Sequence, residues 1–349
     1  MDPSGVFFTS YAGDRRLIRT PLQWTALLAF LAVLAILPLV LPDRWVGIGY
    51  VMFITAIAAV GLQICTGYAG QINLGQSAFM GVGAYACVQA LAAGVPVLLA
   101  LPLGGFAAAL FGMLFGLSAA RIKGFYLALT TIAAQALFHF LVLNLPSGIL
   151  GGAGGLSVKG TSLFGLSLDN DRAVYWLSLA VLIVMTCGAF GIVRSRHGRA
   201  FEAVRDDDVA AGMMGIDVVA TKARAFFVGA IYAGVAGGLW AIALRHVSVE
   251  QFTLFTSIWL VAMIIVGGLG SIVGALIGTA VIQLAREMIV SLGPQVVETV
   301  PGLGPEFIFA AMNVLLGSII ILFLLFEPKG LMHRVAIAKR AYRLWPFPY

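Results

Sequence analysis

The sequence predicts an all-α, polytopic integral membrane protein of about ten spans, some of them discontinuous or re-entrant. Three observations carry that prediction. Hydrophobic residues make up 61% of the 349-residue chain and charged residues 10%, with a mean hydropathy of +1.02; soluble domains carry about 25% charged residues. No Asp, Glu, Lys or Arg occurs between Arg44 and Arg121, a stretch several times the roughly 20 residues that one spanning helix needs. The apolar runs are continuous, without the period-two alternation of a barrel strand. In hydrocarbon every backbone N–H and C=O must be paired within the protein, so such runs become helices.

Taken in order, the first span is expected at 24–42. Arg15, Arg16 and Arg19 precede an apolar run from Trp24 to Leu41 that contains Pro38 and is followed by Pro42. The run exceeds the roughly 7–15 apolar residues of a signal peptide, and no small-residue cleavage site follows it. Further spans are expected at 46–65, 72–93, 97–118, 125–145, 174–193, 224–244, 256–268, 271–290 and 307–326. Lysine and arginine collect in cytoplasmic loops. With the N-terminus inside, 16 of the 21 basic residues fall on the cytoplasmic side, in the N-terminal segment, at Arg121 and Lys123, in the 194–224 loop and in the tail. That bookkeeping also splits the run from Ser257 to Leu292 at Gly267–Ser271, because one continuous helix would carry the basic tail outside. The chain then divides into a cytoplasmic segment 1–23, a membrane domain 24–326 containing the 194–224 loop, and a basic cytoplasmic tail 327–349. No soluble domain fits.

Polar and flexible residues at membrane depth mark the candidate pathway. From Gly67 to Tyr85, five glycines and the polar residues Gln71, Asn73, Gln76 and Ser77 interrupt an apolar region. Glycine lets backbones approach or leave helical geometry, and amides and hydroxyls can satisfy the freed groups. Gly70, Gln71, Asn73, Gln76, Ser77 and Tyr85 are therefore candidates for a translocation pathway, with helix packing as the competing role. The second break, with Gly267, Gly268, Gly270 and Ser271, lies about 200 residues later in the opposite half of the chain. Two such breaks suggest inverted repeats meeting around a central pathway, although glycine-mediated packing explains the same pattern.

The 194–224 loop carries a different signal. Asp206, Asp207 and Asp208 precede Val209-Ala210-Ala211, where carboxylates would complement the positive end of a short helix, and Gly215 is placed to end it. Apolar Met213, Met214 and Ile216 at a cytoplasmic surface suggest docking to another protein. The outer loop Gly151–Leu156 is either a flexible linker or a substrate-side contact.

Other chemistry finds little support. Cys65, Cys87 and Cys187 lie in apolar runs without a Cys-x-x-Cys, and the four histidines are scattered, so no metal site is expected. Gly70-x-x-x-x-Gly75-Gln76-Ser77 matches a phosphate-binding loop except that Gln76 stands where the lysine is needed, and no strand precedes it. Neither a nucleotide nor a nucleic-acid partner is expected for this chain.

Several motifs together resemble the LivM family, permease subunits of ATP-binding-cassette importers for branched-chain amino acids. The family's Gly-Tyr-x-Gly-x-x-Ser/Asn-Leu-Gly-x-x-x-Phe-x-x-x-Gly-Ala-Tyr stretch is matched from Gly67 to Tyr85. Lys123–Ala128, Gly151–Leu156, Gly198–Ile216, Gly267–Ser271 and Phe326–Leu331 follow in family order, covering about residues 60 to 332. In the coupling loop, Val209 replaces the glutamate of the wider permease pattern, while Ala210, Ala211 and Gly215 keep their spacing; Asp206–Asp208 are the nearest carboxylates that could replace it. The resemblance implies that Gly198, Arg199, Arg205, Asp206–Asp208, Ala210, Ala211 and Gly215 face an ATPase. It also implies a LivH-like second permease, two cytoplasmic ATP-binding subunits that hold ATP and magnesium, a soluble substrate-binding protein and a bacterial-type inner membrane. No cofactor is expected in this chain, and no enzymatic site. The rival is a self-sufficient secondary transporter or channel, which would ordinarily carry intramembrane charges; apart from Arg224 at the very edge of one, the expected spans hold only Arg286 and Glu287. Urea, amides or aromatic acids are alternative cargoes.

Overall fold

A computed structural model describes residues 21–119, 122, 124–146, 150–158, 162–163, 166–167, 170–299, 314, 317–318, 320–323, 325–327 and 330–344. Arg15, Arg16, Arg19, Arg121, Lys123, Lys159, Lys329 and most of the expected span 307–326 lie outside these residues.

Among the described residues, eight helices are long and apolar enough to cross a membrane. Helix α1 (Pro21–Val40) leaves most of its apolar side chains uncovered, as a lipid-facing helix does, and is tied inward where Tyr175 Oη donates to Leu34 O at 2.9 Å. Helix α2 (Asp43–Leu62) runs on through a π-helical turn, Gln63–Tyr68, before the chain leaves helical geometry from Ala69 to Gly75. Helix α3 (Gln76–Ala92) therefore starts four residues later than expected. At 17 residues it is about 26 Å long, short of a full crossing. Its first residue is anchored halfway along two neighbours, because Gln76 Nε2 donates to Ala58 O in α2 and to Gly229 O in α9.

Helices α4 (Val97–Ala119), α5 (Phe125–Asn144) and α6 (Asp171–Arg194) follow the expected spans. The 194–224 loop is more ordered than the sequence suggested. It contains α7 (Arg196–Asp206), capped by the Ser195 hydroxyl and facing the core through Phe201 and Val204, and then the short α8 (Asp208–Met213). Helix α9 (Val218–Leu244) is the central column. Its glycine and alanine face admits α3 and α4 so closely that no side-chain carbon fits between Gly83 and Gly234, which lets dispersion contacts act where lipid offers no hydrophobic driving force.

The run after α9 is discontinuous. Helix α10 (Leu254–Gly267) ends at Gly268, whose φ of 114° no other residue adopts without strain, and α11 (Ile272–Thr299) begins after Ser271. A single helix through Ser257–Leu292 is thereby excluded. Helix α10 also starts at mid-depth: the Ser77 amide at the foot of α3 donates to Ser257 Oγ at 2.9 Å, and Gln135 Nε2, midway along α5, donates to Phe252 O. The Gly151–Leu156 loop is packed rather than free. Gly152–Gly154 forms a 3-10 turn, and β1 (Leu156–Ser157) pairs antiparallel with β4 (His246–Val247), directly before the segment that descends to α10. A second two-residue pair, β2 (Ser162–Leu163) with β3 (Leu166–Ser167), lies in the same connection. The tail forms α12 (Leu331–Leu344).

Candidate functional site

The two glycine breaks meet, together with the 194–224 loop, at one end of the bundle. Gln63 Nε2, in the π turn before the first break, donates to Gly268 O at 3.0 Å and Ser271 O at 3.1 Å in the second. Gly67 lies so close that a side-chain carbon there would stand 2.8 Å from Gly270 N. Arg205, the penultimate residue of α7, reaches into this junction: Nη1 donates to Gly67 O at 3.2 Å. The aliphatic stem of Arg205 occupies the space beside Gly70, whose φ of 67° and missing side chain both make room for it. Gly330, at the start of α12, closes against Gly268 from the tail.

The three aspartates that follow Arg205 have three separate jobs. Asp206 Oδ1 accepts from Arg205 Nε and Nη2 at 3.0 and 2.9 Å, which fixes the guanidinium plane while Nη1 points at Gly67. Asp207 caps α8 by accepting from the amides of Val209 and Ala210. Asp208 pairs with the buried Lys222 of α9 at 3.2 Å. A helix at Val209–Ala211 was expected, and it forms. Only Asp207, however, caps it directly. Gly215, with φ 83°, ends the segment as expected, and Ile216 N bonds back to Ala211 O. Ala211 is buried, whereas Val209, Met213 and Met214 are 63%, 85% and 84% exposed, so α8 presents an uncovered apolar face. Gly198 allows the tight passage of α7 past Val193, and Arg199 is exposed.

The remaining pathway candidates separate into distinct places. Gly70, Gly268, Gly270 and Ser271 are at the junction, and Gln71 folds back on its own loop through Ala69 O. Gly267 packs backbone to backbone against Gly274 and Gly278, where α10 and α11 cross. Asn73, Gln76 and Ser77 are buried deeper, and their polar groups are bonded inside the protein. Asn73 Nδ2 donates to Gln76 Oε1 at 2.8 Å, and Asn73 Oδ1 accepts from the Gly75 amide at 2.9 Å. Ser77 Oγ lies 2.6 Å from Thr253 O and 2.8 Å from Gln135 Oε1, two acceptors that share its single proton. These three side chains therefore hold α3 against α2, α5, α9 and α10. Tyr85 is apart from both groups, in the core beside Phe138.

Sequence reasoning passed over Gln63, Thr131, Gln135 and Ser257, which complete these networks; Thr131 Oγ1 accepts from the Leu74 amide. Gln63 and Gln135 each stand alone in an apolar run, and Thr131 and Ser257 each follow one threonine in theirs, the signal that could have drawn attention to them. Among the described residues, no group of three or more His, Cys, Asp or Glu side chains could hold a metal ion.

A helical membrane protein whose two broken helices meet beneath a basic surface loop has the architecture of a solute permease. The family model for "Branched-chain amino acid transport system / permease component" matches residues 45–326, and the chain belongs to that family. It is 28% identical over 332 residues to the high-affinity branched-chain amino acid transport system permease protein LivM of Salmonella typhimurium, covering 88% of this chain and 74% of that one. Over 307 residues it is 25% identical to the LivH permease of the same organism, covering 81% and 92%. The autoinducer 2 import system permease protein LsrC of an Enterobacter strain is 27% identical over 281 residues, covering 75% and 78%. No solved structure matches the chain.

Proposed function

We propose that this chain is one permease half of an ATP-binding-cassette importer for branched-chain amino acids, pairing with a LivH-like second permease. Two cytoplasmic ATP-binding subunits would hold ATP and magnesium and dock on the uncovered face of α8, and a soluble binding protein would deliver the cargo from the other side. The chain itself carries out no catalytic step. The basic loop and the tail lie on the cytoplasmic face of a bacterial-type inner membrane, with both termini inside. The names of the relatives support the cargo, and one contact carries the mechanism: Arg205 joins the loop beneath α8 to the point where both broken helices close. A movement of α7 and α8 driven by the ATPases pulls on Gly67 and so on the glycine junction, which opens the inner end of the pathway.

The test is reconstitution in proteoliposomes with and without the ATP-binding subunits, measuring uptake of radiolabelled L-leucine. ATP-dependent uptake that requires all components is expected. Equal accumulation by the lone chain without ATP would overturn the reading. The similarity to an autoinducer 2 permease supports a second reading, an importer of the same build for another small polar solute, which competition by unlabelled solutes distinguishes.

A further inference from the structure

A cavity of about 340 Å³ lies between α2, α3, α9, α10 and α11, on the far side of the glycine junction from Arg205. Thr55 marks its depth, about two helical turns, or roughly 12 Å, along α2 from Gln63. The volume is at the small end of the roughly 300–1,000 Å³ of small-molecule sites, suited to one free amino acid and not to a peptide. Met80, Leu260, Met263 and Ile282 give it an apolar wall.

Its polar groups are unusual for a packing defect. Among the described residues, five buried side-chain nitrogen or oxygen atoms have no hydrogen-bond partner, and two of them, Trp240 Nε1 and Gln251 Oε1, belong to residues lining this cavity. Both atoms are closed over by their neighbours, but buried polar atoms are nearly always paired, and a turn of either side chain would bring a donor and an acceptor to a ligand in this cavity. Arg286 is the one charged residue in the lining, and its neighbour Glu287 is engaged by Arg44 at 2.5 Å and so does not neutralise it. Phe255 and Thr256, in the first turn of α10, also face the cavity, which places the positive end of a half-helix beside it, as transporters do for anionic substrate groups. A lipid tail would use the apolar wall and leave the donor, the acceptor and the cation without purpose.

We propose that this cavity is the membrane-depth binding site for one free α-amino acid with an aliphatic side chain. Arg286 receives the carboxylate and the apolar wall the side chain, while Trp240 and Gln251 turn toward the ligand to give the indole N–H to the carboxylate and Oε1 to the ammonium group. This deepens the importer reading and rests on it. The site lies behind a closed glycine junction, so occupancy and inner opening are separate steps.

The experiment uses the assembled importer in nanodiscs, without the binding protein, and measures equilibrium binding of three probes: L-leucine, leucinamide and 4-methylpentanoate. L-leucine should bind, and the analogues lacking either the carboxylate or the ammonium should bind about tenfold more weakly. Arg286→Gln should lower affinity for L-leucine about tenfold while leaving leucinamide unaffected, Arg286→Lys should keep most of it, and Met263→Trp, which fills the cavity, should abolish binding. Co-purification of the ATP-binding subunits reports that each variant assembles. Unchanged L-leucine affinity in Arg286→Gln and Met263→Trp, in an assembly that still imports with ATP, would overturn the site and leave the importer reading intact. Failure of ATP-driven uptake by the unmodified assembly would overturn that reading instead, while binding that follows the three probes as stated would still support the site.

Discussion

The first break, from Ala69 to Gly75, carries its own polar side chains, whereas the second, from Gly268 to Ser271, is held mainly by groups from elsewhere in the chain. Asn73 turns back to cap the Gly75 amide and to grip Gln76, and Gln76 and Ser77 then bind four other helices. Around Gly268 the bonds come from Gln63 in the π turn that follows α2, with Gly330 of the tail packed behind. Glycine-rich sequence thus makes two kinds of joint. One is fixed by buried amides at mid-depth. The other is closed by a few contacts at the membrane end, where α7 can reach it, and is the part suited to opening.

Four substitutions can break or sharpen this contrast. Gly67→Val should have the largest effect, because its side chain would meet Gly270 N and Gln63 and force the two breaks apart; uptake should be lost, with a destabilisation of about 1–3 kcal/mol visible in thermal unfolding of the purified assembly. Asn73→Leu comes next, leaving the Gly75 amide and Gln76 Oε1 without partners inside the bundle, at about 1–3 kcal/mol in the same melt. Gln63→Leu removes two bonds to the second break and should lower stability by only about 1 kcal/mol; a loss as large as that of Asn73→Leu would show both joints to be equally fixed. The smallest change is Asp207→Ala, about 1 kcal/mol or less from the lost cap of α8, seen as faster amide exchange confined to Val209 and Ala210.

Much of this organisation was legible because it is local. Hydropathy located the helices, charge asymmetry required the break at Gly267–Ser271, and the glycine clusters located the departures from helix. The run Asp206–Asp208 ahead of Val209-Ala210-Ala211 marked the start of α8, and Gly215 its end. Helix α7 was missed, although Ser195 as a cap and Phe201 and Val204 one turn apart were available as signals. The division of labour among Asp206, Asp207 and Asp208 was not legible, since it depends on Gly67 and Lys222, which lie far away in sequence. The same holds for Gln63, whose acceptors at Gly268 and Ser271 are some 205 residues on. The cavity draws its lining from five helices and the turn before α10, and no spacing in any one of them announces it.

The central claim is that Arg205 couples the 194–224 loop, the proposed ATPase docking surface, to the glycine junction. Its guanidinium uses Nε and Nη2 on Asp206 and Nη1 on Gly67, a fork that lysine cannot reproduce. The most direct measurement is the number of L-leucine molecules imported per ATP hydrolysed by the reconstituted assembly, compared between Arg205 and Arg205→Lys. The contact predicts that hydrolysis continues while the ratio falls about tenfold. An unchanged ratio in Arg205→Lys would contradict it.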